Sequence, residues 1–225
     1  SSVYKSKTTP FPVSLKKSGQ LINVWQSFKK TPINYQLMVL SNPLTLSEFL
    51  IFIIGSIWFM MPAYFANMIP PLLKKVKILN YPVDNNLRFR DRPVLGKNKT
   101  WRGLVFGVLG GTIIFYIQVL LFQYSSPFSI VDYSQQTILL GFLLSFGALL
   151  GDMVESFFKR QKKHHAGQSW MPWDQLDFVI GALILSQIVL GFSLIRWLVI
   201  LLVSPFLHVL INRLAYILKL QKNKY

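Results

Sequence analysis

Long apolar runs without a charge constrain this chain more than any other feature. Residues 48–69 read EFLIFIIGSIWFMMPAYFANMI, uncharged after Glu48. At 1.5 Å per residue, about 22 helical residues reach roughly 33 Å, enough for a hydrocarbon core of about 30 Å. Pro62 is expected to kink this helix rather than end it, because the apolar run continues beyond it. Four more segments have the same character: 103–123, 137–151 with a charged extension to Arg160, 176–192 and 194–218. The last carries Arg196 at one end and Arg213 towards the other. The expected class is an all-α integral membrane protein with about five transmembrane helices.

Charge fixes the expected orientation. The chain of 225 residues has a formal charge of +16, from 24 Lys+Arg against 8 Asp+Glu. The loop 70–102 holds Lys74, Lys75, Lys77, Arg88, Arg90, Arg92, Lys97, Lys99 and Arg102. Lys159, Arg160, Lys162 and Lys163 follow the third segment, and Lys219, Lys222 and Lys224 follow the fifth. The connection 124–136 has no Lys or Arg, and the one between the fourth and fifth segments is a tight turn. Cytoplasmic loops collect Lys and Arg, so the three basic regions belong to the cytoplasm, with the amino end outside and the carboxyl end inside. Residues 1–47 carry six lysines against this pattern. Their stretch 21–40, with Trp25, Phe28, Tyr35 and a break at Pro32, reads either as a helix lying on the membrane or as a mobile tail. The domain division is therefore a basic tail, 1–47, and a five-helix membrane domain, 48–225.

With eight acids in all, each one is informative. Glu48 and Asp132 fall on the outer side, and Asp84 and Asp91 in the first cytoplasmic loop. The rest form two pairs, Asp152 with Glu155 in GDMVES and Asp174 with Asp177 in DQLD. The i,i+3 spacing puts each pair on one helical face. The two pairs end consecutive antiparallel helices, so four carboxylates can meet at one depth. Ordinary roles exist too: Glu155 can pair with Lys159 at i,i+4, and Asp174 can cap its helix. Acids near lipid are nonetheless expensive and are usually paired or metal-bound. The chain has no cysteine, and neither motif contains histidine. Oxygen-only ligands suggest Mg²⁺ held by Asp152, Glu155, Asp174 and Asp177. His164 and His165 read as a solvated loop, with a metal role as the alternative.

LGKNKTWRG, residues 95–103, gathers Lys97, Lys99 and Arg102 around Thr100, which can cap the next helix so that its free N–H groups face an anion. It is not a P-loop, because the upstream glycine and the preceding strand are missing. The plain alternative is a positive-inside anchor. Gly103 with Gly107, and Gly147 with Gly151, form two GxxxG motifs that serve packing within the chain or in a homodimer.

GDMVESFFKR (151–160), PWDQLDFVIGA (172–182) and PVDNNLRFRDRPVLGKNKTWRG (82–103) together resemble the signature of the CDP-archaeol synthases, distant relatives of bacterial CTP:phosphatidate cytidylyltransferases. The resemblance covers roughly residues 48–220. Residues 1–47 and the segment KKHHAGQSWM depart from it. It implies CMP transfer from CTP to a lipid phosphate, 2,3-bis-O-(geranylgeranyl)-sn-glycerol 1-phosphate, with release of pyrophosphate. It further implies Mg²⁺ on the four carboxylates. Lys97, Lys99, Thr100 and Arg102 would lie at the CTP phosphates, with Lys159 and Arg160 near the lipid phosphate or pyrophosphate. The site would face the cytoplasm, within a multi-pass cell-membrane protein. An ester phosphatidate is the alternative lipid. A CDP-alcohol phosphotransferase lacks its upstream Asp-Gly here, and a cation transporter would place its acids at the bilayer midplane. Nucleic acid is not an expected partner, since positive-inside loops account for much of the basicity and no recognition motif accompanies it.

Overall fold

The computed structural model describes residues 46–124, 131, 133–134, 136–164, 168, 170–190 and 194–217. The expectations placed on residues 1–45, Asp132, His165, the turn 191–193 and the tail from 218 lie outside them. Five helices follow in order: α1 (Leu46–Leu72), α2 (Trp101–Tyr124), α3 (Ile138–Gln161), α4 (Trp173–Leu190) and α5 (Leu194–Ile217). The stretches Phe52–Leu72, Trp101–Tyr124, Ile138–Gln161 and Trp173–Leu190 are long and apolar enough to cross a membrane, and α5 is apolar over Leu194–Leu207. Large apolar side chains such as Leu109, Ile113, Ile188 and Phe206 are exposed along their outer faces. This is the pattern of a bundle whose solvent is hydrocarbon.

The helices are held by close backbone approach, because apolar burial gives little drive between helices already in lipid. A Cβ on Gly103 would lie 3.0 Å from the Pro70 ring, and one on Gly107 would lie 2.9 Å from the Ala66 carbonyl. One on Gly111 would overlap the Pro62 carbonyl. Residues 103, 107 and 111 thus climb α2 in four-residue steps against 70, 66 and 62 of antiparallel α1. The helix runs through Pro62, as expected. Gly147 and Gly151 are used in the same way by α3 against Gly181 and Asp177 of α4. Both GxxxG motifs are therefore filled by contacts within the chain.

Helix α3 is the centre of the bundle, touching α1, α2 and α4. Helix α5 is tied to α1 by the Tyr64 hydroxyl, 2.7 Å from Ser204 Oγ, and by the buried Arg196 guanidinium 6.0 Å from the Phe59 ring centroid. At the end of the bundle away from the basic loops, Tyr133 is buried edge-on against Phe115 and Phe122.

The basic loop between α1 and α2 is folded. Strands β1 (Arg88–Phe89) and β2 (Arg92–Pro93) form an antiparallel hairpin, with Arg90 and Asp91 both at positive φ, as a two-residue I′ turn requires. An isolated bridge pairs Pro82 with Thr100. Phe89 packs on Phe157, and Arg92 donates to the Gln161 carbonyl, so the hairpin leans on the charged end of α3.

Candidate active site

The site is built on α3, one face of which carries Asp152, Glu155, Ser156 and Lys159 at helical spacing. Its neighbour α4 begins at Trp173, three residues earlier than the apolar pattern suggests, so Asp174 and Asp177 both lie in the opening turns. The glycine contact brings the two faces together. A Cβ at Gly151 would overlap the Asp177 carbonyl, so only glycine allows Asp152 and Asp177 to sit this near.

Asp152, Glu155 and Asp177 each offer an oxygen within 4.8 Å of the others. Among the described residues this is the one group of acids or histidines so arranged. Asp174 is not one of these three, although it lines the same cavity and its side chain meets that of Glu155. Its carboxylate is paired with Lys159 and accepts the Trp170 amide at 2.8 Å. Nor does it sit at the N-cap, the alternative open to it, because it lies inside the first turn and reaches back to the preceding segment. Lys159 bridges Asp174 to Glu155, the latter at 2.9 Å, with its side chain only 12% exposed.

The opposite wall is the loop 95–99. Lys99 Nζ reaches across to Asp152 at 2.5 Å. The loop is held from behind by Asp84, which is 7% exposed and accepts the amides of Asn86 (3.1 Å), Leu95 (2.8 Å) and Gly96 (3.4 Å). Gly96 has φ +94°, a conformation that side chains disfavour, and it faces the Arg160 side chain. Thr100 caps α2 as expected, its Oγ1 accepting the Gly103 amide at 3.3 Å, and borders a small crevice beside Lys99 and Asp152.

Between these walls lies a charged cavity of about 170 Å³. Lys97, Lys99, Lys159 and Arg160 line it together with Asp152, Glu155, Asp174 and Asp177. Arg102 does not. It is 5% exposed, and its guanidinium donates to the carbonyls of Val76 and Lys74, where it fastens the start of the loop to α2. Both of these bonds come from one guanidinium nitrogen, and they hold the arginine to the backbone of residues 74–76 rather than in the cavity wall. Asn98 and Ser156 do line the cavity, although only neighbouring acids and lysines stood out in the sequence. Asp84 was legible only as a loop acid, yet PVDNN carries an Asx-turn signature that its bond to Asn86 fulfils. His164 stacks on Trp170 and stands outside the acid group.

The donor set fits a hard divalent cation, since all three clustered groups are carboxylates. Cavity charge points the same way: four cations face four carboxylates, leaving little net positive charge for a polyanionic ligand. Beside this cavity, and sharing Glu155 and Asp177 with it, lies an apolar groove of about 450 Å³ between α3 and α4. Its walls include Val154, Phe158 and Ile184, each about half exposed, so it opens sideways from the bundle.

Comparison with known proteins agrees with this architecture. The family model for CarS-like CDP-archaeol synthases matches residues 49–225. The CDP-archaeol synthase of Thermococcus kodakarensis is 39% identical over 165 residues, 73% of this chain and 91% of the relative. That of Methanocaldococcus jannaschii is 37% identical, covering 72% and 91%. A solved structure of an intramembrane enzyme for archaeal membrane lipid biosynthesis superposes with a TM-score of 0.56 at 31% identity, covering 71% of this chain and 94% of that one. A multi-pass helical bundle of this kind, matched along most of its length by family model, sequence and structure, belongs to the CDP-archaeol synthase family.

Proposed function

We propose that this protein transfers CMP from CTP to a membrane lipid phosphate, giving a CDP-lipid and pyrophosphate. The observation that carries the reading is the junction of the two cavities at Glu155 and Asp177. A charged chamber suits a nucleoside triphosphate arriving from water. A sideways apolar groove suits a lipid whose head group stays at the depth of the interface. The names of the relatives favour an isoprenoid ether lipid, with 2,3-bis-O-(geranylgeranyl)-sn-glycerol 1-phosphate as the expected acceptor.

An oxygen of the lipid phosphate attacks the α-phosphorus of CTP. The bond from that phosphorus to the oxygen bridging to the β-phosphate breaks, and pyrophosphate leaves with the electron pair. The attacking oxygen is already anionic, so no strong general base is required. The residues contribute by positioning two polyanions and compensating the charge that builds up on the leaving group. Lys97, Lys99 and Arg160 hold CTP phosphates from both walls. Lys159, oriented by Asp174 and Glu155, supports the reacting phosphates from the floor. Thr100 and Arg102 shape the loop that presents Lys97 and Lys99. Asp152, Glu155 and Asp177 would hold Mg²⁺, which when bound supplies Lewis-acid charge compensation to phosphate oxygens. With the basic loops inside by the positive-inside rule, the chamber opens to the cytoplasm.

The test is purified protein with labelled CTP and either the ether-linked or an ester-linked lipid phosphate, in excess Mg²⁺ and in excess chelator. CDP-lipid formation that prefers the ether lipid and stops in chelator is expected. Product from neither lipid removes the reading, and full activity in chelator removes the metal assignment. Release of CMP from a CDP-lipid and an alcohol would point to a phosphotransferase instead.

A further inference from the structure

The apolar groove has one basic side chain among the described residues that line it, and the transfer step has no use for it. It is Lys162, which follows the last turn of α3. Lys162 follows Glu155 by seven residues, two turns or about 10 Å along the axis, so it continues the same stripe. Its neighbours on that stripe are Phe158, Glu155 and Val154, all lining the groove. On the other wall Trp170 and Trp173 stand opposite, with ring centroids 6.0 Å apart. The Lys162 ammonium lies over the Trp170 ring, 4.5 Å from its centroid.

These positions raise a problem of charge that Lys162 resolves. A lipid phosphate entering between α3 and α4 travels through apolar walls towards Glu155 and Asp177, both carboxylates. Lys159 does not line the groove and is engaged by two acids. We infer that Lys162, parked on Trp170 where α3 ends, is the receiving cation that selects the phosphate monoester of the incoming lipid before it reaches the acid cluster. The inference rests on the cytidylyltransferase reading for the direction of travel. An ammonium over an indole is held weakly at an exposed site, and a charged phosphate is a stronger partner, so the side chain can exchange one for the other. Its flexible four-carbon stem allows the move without backbone change. Lys162 does not take part in the transfer step; it acts on which lipid enters and how readily.

The experiment measures binding of a dialkylglycerol phosphate, the corresponding uncharged dialkylglycerol, and glycerol phosphate without chains, to the purified full chain in neutral detergent micelles. Lys162→Gln is compared with Lys163→Gln, which alters an exposed neighbour outside the groove lining, and with Lys162→Arg, which keeps the charge. Lys162→Gln should weaken binding of the phosphate lipid by about tenfold, the loss of one charge-assisted contact. Binding of the uncharged lipid should not change, and glycerol phosphate should bind poorly to all variants. In turnover, KM for the lipid should rise while KM for CTP and the rate at saturating lipid stay near wild type. Lys162→Arg should recover most of the loss. Equal effects of Lys162→Gln and Lys163→Gln would reduce the role to general surface charge and overturn the inference. So would unchanged phosphate-lipid binding in Lys162→Gln, or strong binding of glycerol phosphate alone. Lys162-dependent selection of the phosphate lipid, in a protein that makes no CDP-lipid, would leave this inference standing and remove the proposed reaction.

Discussion

Replacing Gly151 with alanine adds one methyl group behind the acid cluster, at the point where α3 and α4 touch. The new Cβ would overlap the Asp177 carbonyl oxygen, lie 2.9 Å from its carbonyl carbon and 3.2 Å from Gly181 Cα. These are backbone atoms of a packed helix, so no side chain can swing away. Restoring the carbon contact from 2.9 Å to about 3.5 Å moves α4 back by at least ~0.6 Å at the residue carrying the Asp177 carboxylate. Overpacking of this kind costs about 1–3 kcal/mol of stability. Its effect on rate should be larger in proportion, because a misplacement of about 1 Å at a reacting centre can cost about 10²-fold. A fall of roughly 10- to 10²-fold in CDP-lipid formation at saturating CTP and Mg²⁺ is therefore expected, with a modest drop in melting temperature in detergent. Gly110→Ala is the control, since its Cβ meets only the Ile69 side chain, whose terminal methyl can rotate aside. A folded Gly151→Ala protein turning over at the wild-type rate, or a Gly110→Ala protein losing as much, would refute the dependence of the site on this contact.

Asp152→Asn and Asp177→Asn keep shape but remove negative ligands, and each should slow turnover by roughly 10²–10³ with folding retained. Asp174→Asn should be milder in rate, because that carboxylate lies outside the clustered three and acts through Lys159; comparing initial rates of the three variants checks the order. Asp84→Ala leaves the Leu95 and Asn86 amides without their acceptor, a loss of about 1–3 kcal/mol for buried groups, and should raise KM for CTP more than it lowers kcat as the 95–99 loop loosens. Because the chain has no cysteine, single cysteines report topology cleanly. Lys75→Cys should react only from the cytoplasm and Ser134→Cys only from outside, and labelling from the reverse sides would invert the orientation.

The spans and both acid pairs were legible in the sequence because the rules that set them are local. A run such as FLIFIIGSIWFMMPAYF has no stable alternative to a membrane helix, and i,i+3 spacing alone puts Asp152 with Glu155 on one face. Five segments came out within a few residues of the observed helices, and the cytidylyltransferase-like motifs led to the family that the comparisons support. What distance in sequence concealed, the tertiary structure decided. Arg102 lies in the same basic motif as Lys97 and Lys99, but the start of its own loop offers it two carbonyls, and it turns away from the cavity. Asp174 looks equivalent to Asp177, yet one helical turn separates a partner of Lys159 from a member of the acid cluster. Asp84 could be placed only as an acid of the first cytoplasmic loop; the chain returns, eleven residues later, to give it the Leu95 amide. Local periodicity can assign a face and a depth. Which partner fills that face depends on how closely backbones approach, and here glycines at 107, 111, 147, 151 and 181 set that distance.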